Sequence, residues 1–188
     1  MAPIVEAYME TSTITHAKNR VLWLLFLMIS ATFTGMIISR YEMVLAANVL
    51  LASFIPMLMD TGGNAGSQSS VAVIRALTLK EVDFPDMLKI MWKETGVSLL
   101  TGVCVAGVNF FRVWLSNGDP MVALAVSLTL IVIIVSANIV GSALPLIAQK
   151  VGIDPALMAS PLITTIVDAA AIFAFFNIAV MVIPGLAQ

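Results

Sequence analysis

Residues 56–70 read PMLMDTGGNAGSQSS, and this polar, glycine-rich stretch interrupts an apolar run that extends over residues 43–76. Such a run is long enough to cross a lipid bilayer, which takes roughly 20 mostly apolar residues. Polar or irregular backbone at membrane depth is tolerated only where it is buried in protein or lines a water-filled cavity. We therefore expect a membrane helix that is interrupted by this stretch, with oxygen atoms turned towards an ion pathway.

The spacing of the glycines gives the same stretch a second, purely structural interpretation. Gly62 and Gly66 have the G-x-x-x-G spacing of tight helix–helix contacts in membranes. The polar residues beside the glycines favour the pathway interpretation, although one helix face can serve both purposes. The candidate pathway residues here are the ion ligands Asp60 and Asn64 and the pore-lining positions Gly62, Gly63, Gly66 and Gln68.

The composition of the whole chain is that of a membrane protein. Of the 188 residues, 60% are hydrophobic and 11% are charged, whereas about 25% of the residues of a soluble domain are charged. The mean hydropathy of +1.04 implies more apolar surface than a domain of this size can hide from water. With a net charge of −2, the chain lacks the basic field of a nucleic-acid-binding protein.

Apolar runs predict an all-α membrane protein in which each chain has five transmembrane helices. These lie at about residues 21–39, 43–76, 87–114, 121–148 and 155–183. Residues 1–20 are too polar to insert, so we expect a short cytoplasmic segment followed by a membrane ion-pathway domain at residues 21–188.

The distribution of basic residues predicts the orientation. Seven of the nine lie on one side of the predicted spans: Lys18, Arg20, Arg75, Lys80, Lys89, Lys93 and Lys150. Because Lys and Arg are enriched in cytoplasmic loops, we place the N-terminus in the cytoplasm and the C-terminus outside.

The predicted fifth helix carries a carboxylate, Asp168, roughly 20 Å from its start at 1.5 Å per residue. No basic residue lies deep in any predicted span to pair with Asp168 or Asp60. An unpaired buried carboxylate takes a proton or meets a metal ion or water. Thr164 and Thr165 share its helix face, and this all-oxygen set suits a hard cation such as Mg²⁺ or Ca²⁺. The alternative is a protonated aspartate that bonds to a neighbouring helix.

Other polar positions predict structure rather than chemistry. Asn109, Asn138 and Asn177 are expected to form interhelical hydrogen bonds, and the alternative for each is a pore-lining position. The chain has one cysteine and one histidine, and the glycine-rich stretch is not followed by the Lys-Ser/Thr of a phosphate-binding loop. We therefore expect neither an enzyme activity nor an organic cofactor.

Two motifs resemble those of the MgtE family of Mg²⁺ channels and transporters. The stretch from Pro56 to Gln68 resembles the second-helix signature of that family. Asp154-Pro155-Ala156, followed by Ser-Pro-Leu at residues 160–162 and Thr-Ile-Val-Asp at residues 165–168, resembles its fifth helix.

The resemblance implies a homodimer in the inner membrane of a bacterium or archaeon, with one pore between the subunits. Helices two and five would line this pore, and Asp168 from both subunits would hold a largely hydrated Mg²⁺ as the transported ion. Ser160 and Thr164 occupy positions where family members can carry Asn and Ala. Family members also carry cytoplasmic Mg²⁺-sensing domains, a helical domain and a pair of CBS modules, whereas only residues 1–20 precede the first span here.

The leading hypothesis is therefore a passive Mg²⁺ channel. A Na⁺- or H⁺-coupled transporter of Mg²⁺ or another divalent cation would use intramembrane carboxylates equally well. A membrane anchor or assembly subunit without a transport role is the alternative from another class.

Overall fold

The computed structural model describes residues 11–186, with only the backbone at residues 19, 22 and 156–160. Within that range the chain is all-α, as predicted. Its helices are α1 (Thr13–Arg40), α2 (Glu42–Ala47), α3 (Ile55–Thr78), α4 (Met87–Asn117), α5 (Pro120–Lys150) and α6 (Pro155–Val182). Short 3-10 turns at Val49–Phe54 and Phe84–Asp86 lead into α3 and α4.

Four helices in the described part of the chain are long and apolar enough to cross a membrane. They are α1, α4 with its preceding turn, α5, and the Pro161–Val182 part of α6. The chain is thus a multi-pass membrane protein. The one predicted span outside this set is the second, residues 43–76, most of which forms α3; the 24 residues of α3 extend about 36 Å at 1.5 Å per residue. Because α3 contains many polar residues, it is not among the helices that are apolar enough to cross a membrane. The count of five transmembrane helices therefore stays a prediction.

The predicted interruption of the second helix at the glycine-rich stretch is wrong. Helix α3 runs unbroken through residues 56–70, and the break lies upstream, between α2 and α3. There Asn48 leaves the helical conformation (φ −145°, ψ 89°), and its Oδ1 accepts a hydrogen bond from the Leu50 N–H at 3.2 Å. Pro56 stands in the first turn of α3, where a proline sacrifices no helical hydrogen bond and so starts the helix instead of bending it.

Helix α5 forms the centre of the protomer and contacts α3, α4 and α6. Fully buried side chains from α5 and its neighbours fill the space between them, among them Leu58, Leu130, Ile163, Phe175 and Phe176. Helix α1 lies at the periphery and packs mainly on α6. Most of its apolar side chains are exposed, so lipid is their expected neighbour.

The end of α1 is attached to α6 by one aromatic residue. The ring of Tyr41 stacks on that of Phe176, with centroids 4.7 Å apart and planes inclined by 16°. Its hydroxyl accepts a hydrogen bond from Asn177 Nδ2 at 2.9 Å. This pair of contacts fixes the point at which the chain leaves α1 for α2.

The basic residues of the described part of the chain lie towards the ends of the helices or between them. The Lys150 Nζ at the end of α5 lies 3.8 Å from the centroid of the Phe84 ring, just before α4. At the opposite end of α4, Arg112 Nη2 donates to Met57 Sδ in the first turn of α3 at 2.9 Å. The predicted orientation of the chain requires this separation, although which end faces the cytoplasm stays a prediction.

Candidate functional site

Helix α3 has two distinct faces that come from interleaved positions in the glycine-rich stretch. Leu58, Gly62 and Gly66 follow each other at four-residue intervals and are buried against the rest of the protomer. Asp60 and Asn64 form a parallel row that is exposed. Because residues four apart lie on one helix face, the sequence places a packing surface of small residues directly beside a polar surface.

The buried glycines let α5 and α6 approach α3 closely. A methyl group at Gly62 would lie 2.5 Å from Ile133 Cγ2 and 2.6 Å from Val167 Cγ1. At Gly66 it would lie 2.6 Å from Ile163 Cγ2. These contacts hold the glycines in a helix despite their intrinsic cost of about 1 kcal/mol each.

The same contacts fix the register of α3 against the antiparallel α6. Gly62 faces Val167, and four residues further along α3 the contact has moved four residues back along α6. Continued two residues in the other direction, this register brings Asp60 level with Ala169, the neighbour of Asp168 in the chain. The two carboxylates therefore lie at nearly the same height in the protein, about 1.5 Å apart along the helix axis.

A cleft of about 310 Å³ lies between α3 and α6 at this height. Its lining brings together all four residues predicted as ion ligands (Asp60, Asn64, Thr164 and Asp168) with Gly63, Met59 and Ser67. Asp60 is exposed and Asp168 is half-buried. Met59 and Ser67 were not among the residues predicted from the sequence, although Ser67 continues the row of polar residues along the same face of α3.

The remaining predicted pore-lining residues are placed elsewhere. Gly62 and Gly66 belong to the packing face described above, as their G-x-x-x-G spacing allows. Gln68 is exposed and Thr165 is half-buried, and neither lines the cleft. The side chain of Ser160 lies outside the described residues.

The cleft presents oxygen atoms and two negative charges. Thr164 Oγ1 and Thr165 Oγ1 each donate to the Pro161 carbonyl at 3.0 Å. This fixes the Thr164 hydroxyl proton inside the helix, so its oxygen is left to act as an acceptor. The residues that line the cleft include no basic side chain. Asp60 and Asp168 thus give it the charge that complements one divalent cation.

Interhelical hydrogen bonds confirm the interpretation of the buried asparagines. Asn109 Nδ2 donates to Ser127 Oγ on α5 at 3.3 Å, and Asn177 donates to Tyr41, which caps α1. Asn138 Nδ2 donates to Glu94 Oε2 on α4 at 3.5 Å. Glu94 was not predicted from the sequence, because it follows Lys93 near the start of a span, where charged residues are expected to be solvated.

The family model MgtE, described as a divalent cation transporter, matches residues 55–178. A relative from Thermus thermophilus named magnesium transporter MgtE is 34% identical over 172 residues, covering 92% of this chain and 38% of the relative. Proteins of the same name from Enterococcus faecalis and Bacillus subtilis are 32% and 31% identical over 88% and 94% of this chain, and 36% and 39% of their own lengths are covered. The chain thus spans less than two fifths of these curated relatives.

Proposed function

Because the chain belongs to the MgtE family of divalent cation transporters, we propose that it forms a passive, Mg²⁺-selective channel in the inner membrane. The cleft between α3 and α6 is the observation that carries this proposal. It gathers two carboxylates, an amide and hydroxyl oxygens at nearly the same height, without a basic side chain among its lining residues. Oxygen ligands with this charge suit a hard divalent cation.

The size of the cleft suits an ion that keeps its water. Mg²⁺ sheds its water shell reluctantly and usually retains several of its six waters in proteins. Six waters occupy about 180 Å³ at ~30 Å³ each, which is less than the 310 Å³ of the cleft. Carboxylates that reach the ion through its water can neutralise it without stripping it. In this proposal selectivity follows from the size of the hydrated ion and its hydrogen bonds.

A second copy of the chain completes the pore in this proposal. The cleft is open on one side in the protomer, where Asp60 and Asn64 are exposed. A homodimer whose two clefts face each other would enclose the ion between the two copies of Asp168. Asp60, at nearly the same height, would add to the negative potential that attracts the cation.

A Na⁺- or H⁺-coupled transporter is the second candidate, and a specific observation favours it. Glu94 is a third carboxylate within a predicted span, it is half-buried, and it contacts Asn138 outside the cleft. A membrane-depth carboxylate apart from the main pathway is a common element of ion-coupled transport.

Mg²⁺ influx into liposomes tests the proposal. We expect the reconstituted protein to admit Mg²⁺ down its own gradient, without a Na⁺ or pH gradient. Asp168→Asn keeps the size of the side chain and removes its charge, so the initial rate should fall roughly tenfold or more, which corresponds to about 1.4 kcal/mol of lost ion stabilisation. The matched control Asp86→Asn alters a carboxylate that pairs with Lys89 at 3.1 Å outside the cleft, and it should keep the wild-type rate within about twofold.

The other outcomes separate the alternatives. Equal influx in wild type and Asp168→Asn would contradict the assigned role of this residue. Influx that appears only with a Na⁺ or pH gradient would replace the channel by the coupled transporter. If no gradient supports influx, the membrane-anchor alternative is favoured.

A further inference from the structure

A groove of about 390 Å³ runs along the outer side of α4, in the half of the helix that leads to α5. Its lining residues recur at intervals of three or four, so they share one helix face: Cys104, Val105, Val108, Asn109 and Arg112. Val108 is 73% exposed, which means that the groove opens away from the rest of the protomer. It shares no lining residue with the carboxylate cleft. The groove is therefore a separate surface, apolar over most of its length and basic at one end.

Neighbouring side chains hold the guanidinium group of Arg112 in place. Its Nε and Nη2 donate to Asn109 Oδ1 at 3.2 and 2.7 Å, and Nη2 also donates to Met57 Sδ at 2.9 Å. Asn109 is itself anchored to α5, because its Nδ2 donates to Ser127 Oγ at 3.3 Å. The third nitrogen of the guanidinium, Nη1, has no hydrogen-bond partner among the described residues. Its two N–H groups are thus available to a ligand.

The positive charge of Arg112 is not compensated within the part of the protomer that the structure describes. Arg112 forms no ion pair with any described residue, and none of the described residues that line the groove is acidic. A guanidinium group matches the geometry of a phosphate and is more weakly hydrated than an ammonium group. Its hydrogen bonds to phosphate oxygens are also stronger than those between neutral groups. The chemistry at this end of the groove therefore suits a phosphate.

The position of Arg112 along α4 matches the headgroup level of a bilayer. Trp92 and Trp114 are exposed near the two ends of α4, and tryptophan is enriched at membrane–water interfaces. Arg112 follows Trp92 by 20 residues. This separation is about 30 Å at 1.5 Å per residue, which is roughly the thickness of the hydrocarbon core. The apolar residues of the groove lie one to two helical turns deeper, at the level of the acyl chains.

We propose that this groove binds an anionic phospholipid. Arg112 would hold the lipid phosphate through Nη1, and one acyl chain would lie along the apolar residues of the groove. Charge favours the anionic class, because a zwitterionic lipid carries its own cation beside the phosphate and is neutral overall. A free phosphate ion would gain nothing from the apolar residues, whereas an acyl chain does. The site does not depend on the proposed path of Mg²⁺, because the cleft uses other residues.

Thermal unfolding of the purified full chain in detergent, with added lipid, tests the site. A ligand that binds the folded state raises the melting temperature with concentration. We expect the half-saturating concentration of phosphatidylglycerol to be about fivefold lower than that of phosphatidylcholine with the same acyl chains, as expected for one basic residue at a lipid surface. Inorganic phosphate at the same ionic strength should have no effect. Native mass spectrometry of the protein in a mixture of the two lipids provides a direct second measurement, in which phosphatidylglycerol should be retained preferentially.

Two variants remove the headgroup preference in different ways. Arg112→Gln removes the positive charge, so the half-saturating concentrations of the two lipids should come within about twofold of each other. Val108→Glu leaves the contacts of Arg112 intact but places a carboxylate one helical turn away, at the spacing of a helical ion pair, and it should have the same effect. Arg40→Gln is the matched control, because it changes an exposed basic residue at the end of α1. It should keep the wild-type preference.

Several results would overturn the proposal. Equal half-saturating concentrations of the two lipids in the wild type would show that no site for an anionic headgroup exists. A wild-type preference in Arg112→Gln, or in Val108→Glu if the former does not fold, would place the lipid elsewhere. Loss of the preference in Arg40→Gln would mean that the lipid responds to the overall positive charge instead of a site. If inorganic phosphate alone produced the stabilisation that depends on Arg112, the assignment to a lipid would be wrong.

Discussion

At the scale of single residues, the contact between Gly141 and Gly66 has the sharpest consequence for stability. A methyl group at Gly141 would overlap the carbonyl oxygen of Gly66, and neither backbone can rotate away as a side chain could. We predict that Gly141→Ala destabilises the protein by about 1–3 kcal/mol, the usual cost of overpacking. Unfolding by heat or by a denaturing detergent measures this loss.

Gly107 on α4 provides the matched control. A methyl group there meets nothing within 4 Å, so Gly107→Ala should be neutral or stabilise the helix by up to about 1 kcal/mol. Equal effects of the two substitutions would mean that the close approach of α3 and α5 does not contribute to stability.

At the scale of helices, substitutions of Tyr41 measure how firmly α1 is attached to α6. Tyr41→Phe removes the hydroxyl that accepts from Asn177 at 2.9 Å but keeps the ring on Phe176. We expect a loss of about 0.5–1.5 kcal/mol, the net value of one hydrogen bond, in the thermal unfolding of the purified protein. Tyr41→Ala should cost more, because the stacked ring contributes a further 0.5–1.5 kcal/mol or so. If Tyr41→Phe and Tyr41→Ala lowered the stability by the same amount, the stacked ring would contribute nothing to it.

Most helices could be predicted from the sequence because long apolar runs determine them. The fifth run was expected at residues 155–183, and α6 occupies Pro155–Val182. Helix α1 begins earlier than the first run, at Thr13, because Ser12 caps it by accepting from the Thr15 N–H at 3.2 Å. The first turns of α1 are polar and can lie outside the lipid. A helix start placed by hydropathy alone therefore falls later in the sequence than the true start.

The continuity of α3 could not be predicted, because the cause lies far away in the sequence. Locally, glycines and polar residues indicate a broken helix. The side chains of Ile133, Val167 and Ile163 that pack against the glycines belong to α5 and α6, and no local pattern reveals them. The individual cleft residues were predicted from spacing and residue type, whereas the similar height of Asp60 and Asp168 follows only from the packing register.

At the scale of the whole molecule, the proposed dimer predicts which surface meets the partner. In a Cys104→Ser background, which removes the single native cysteine, Asn64→Cys places a thiol at the exposed side of the cleft. A short bis-maleimide should then link two chains in the membrane, because facing clefts bring the two thiols to opposite sides of one pore. The yield of covalent dimer on a denaturing gel measures this.

Leu100 on α4 is the control position for this experiment. Its side chain is 73% exposed on a helix that does not line the cleft, so Leu100→Cys should give little cross-linked product. Efficient linkage through Leu100 with none through Asn64 would place the partner against α4 and leave the cleft facing lipid.

The glycine contacts also give the two walls of the cleft different mechanical properties. Helix α3 rests on α5 through backbone atoms at Gly66 and Gly141, which cannot yield by changing rotamer, so these two helices behave as one stiff body. Helix α6 touches α3 through the side-chain ends of Val167 and Ile163, which shift more easily than backbone atoms. We therefore expect a change in the aperture of the cleft to move α6, and with it Asp168, more than α3 and Asp60.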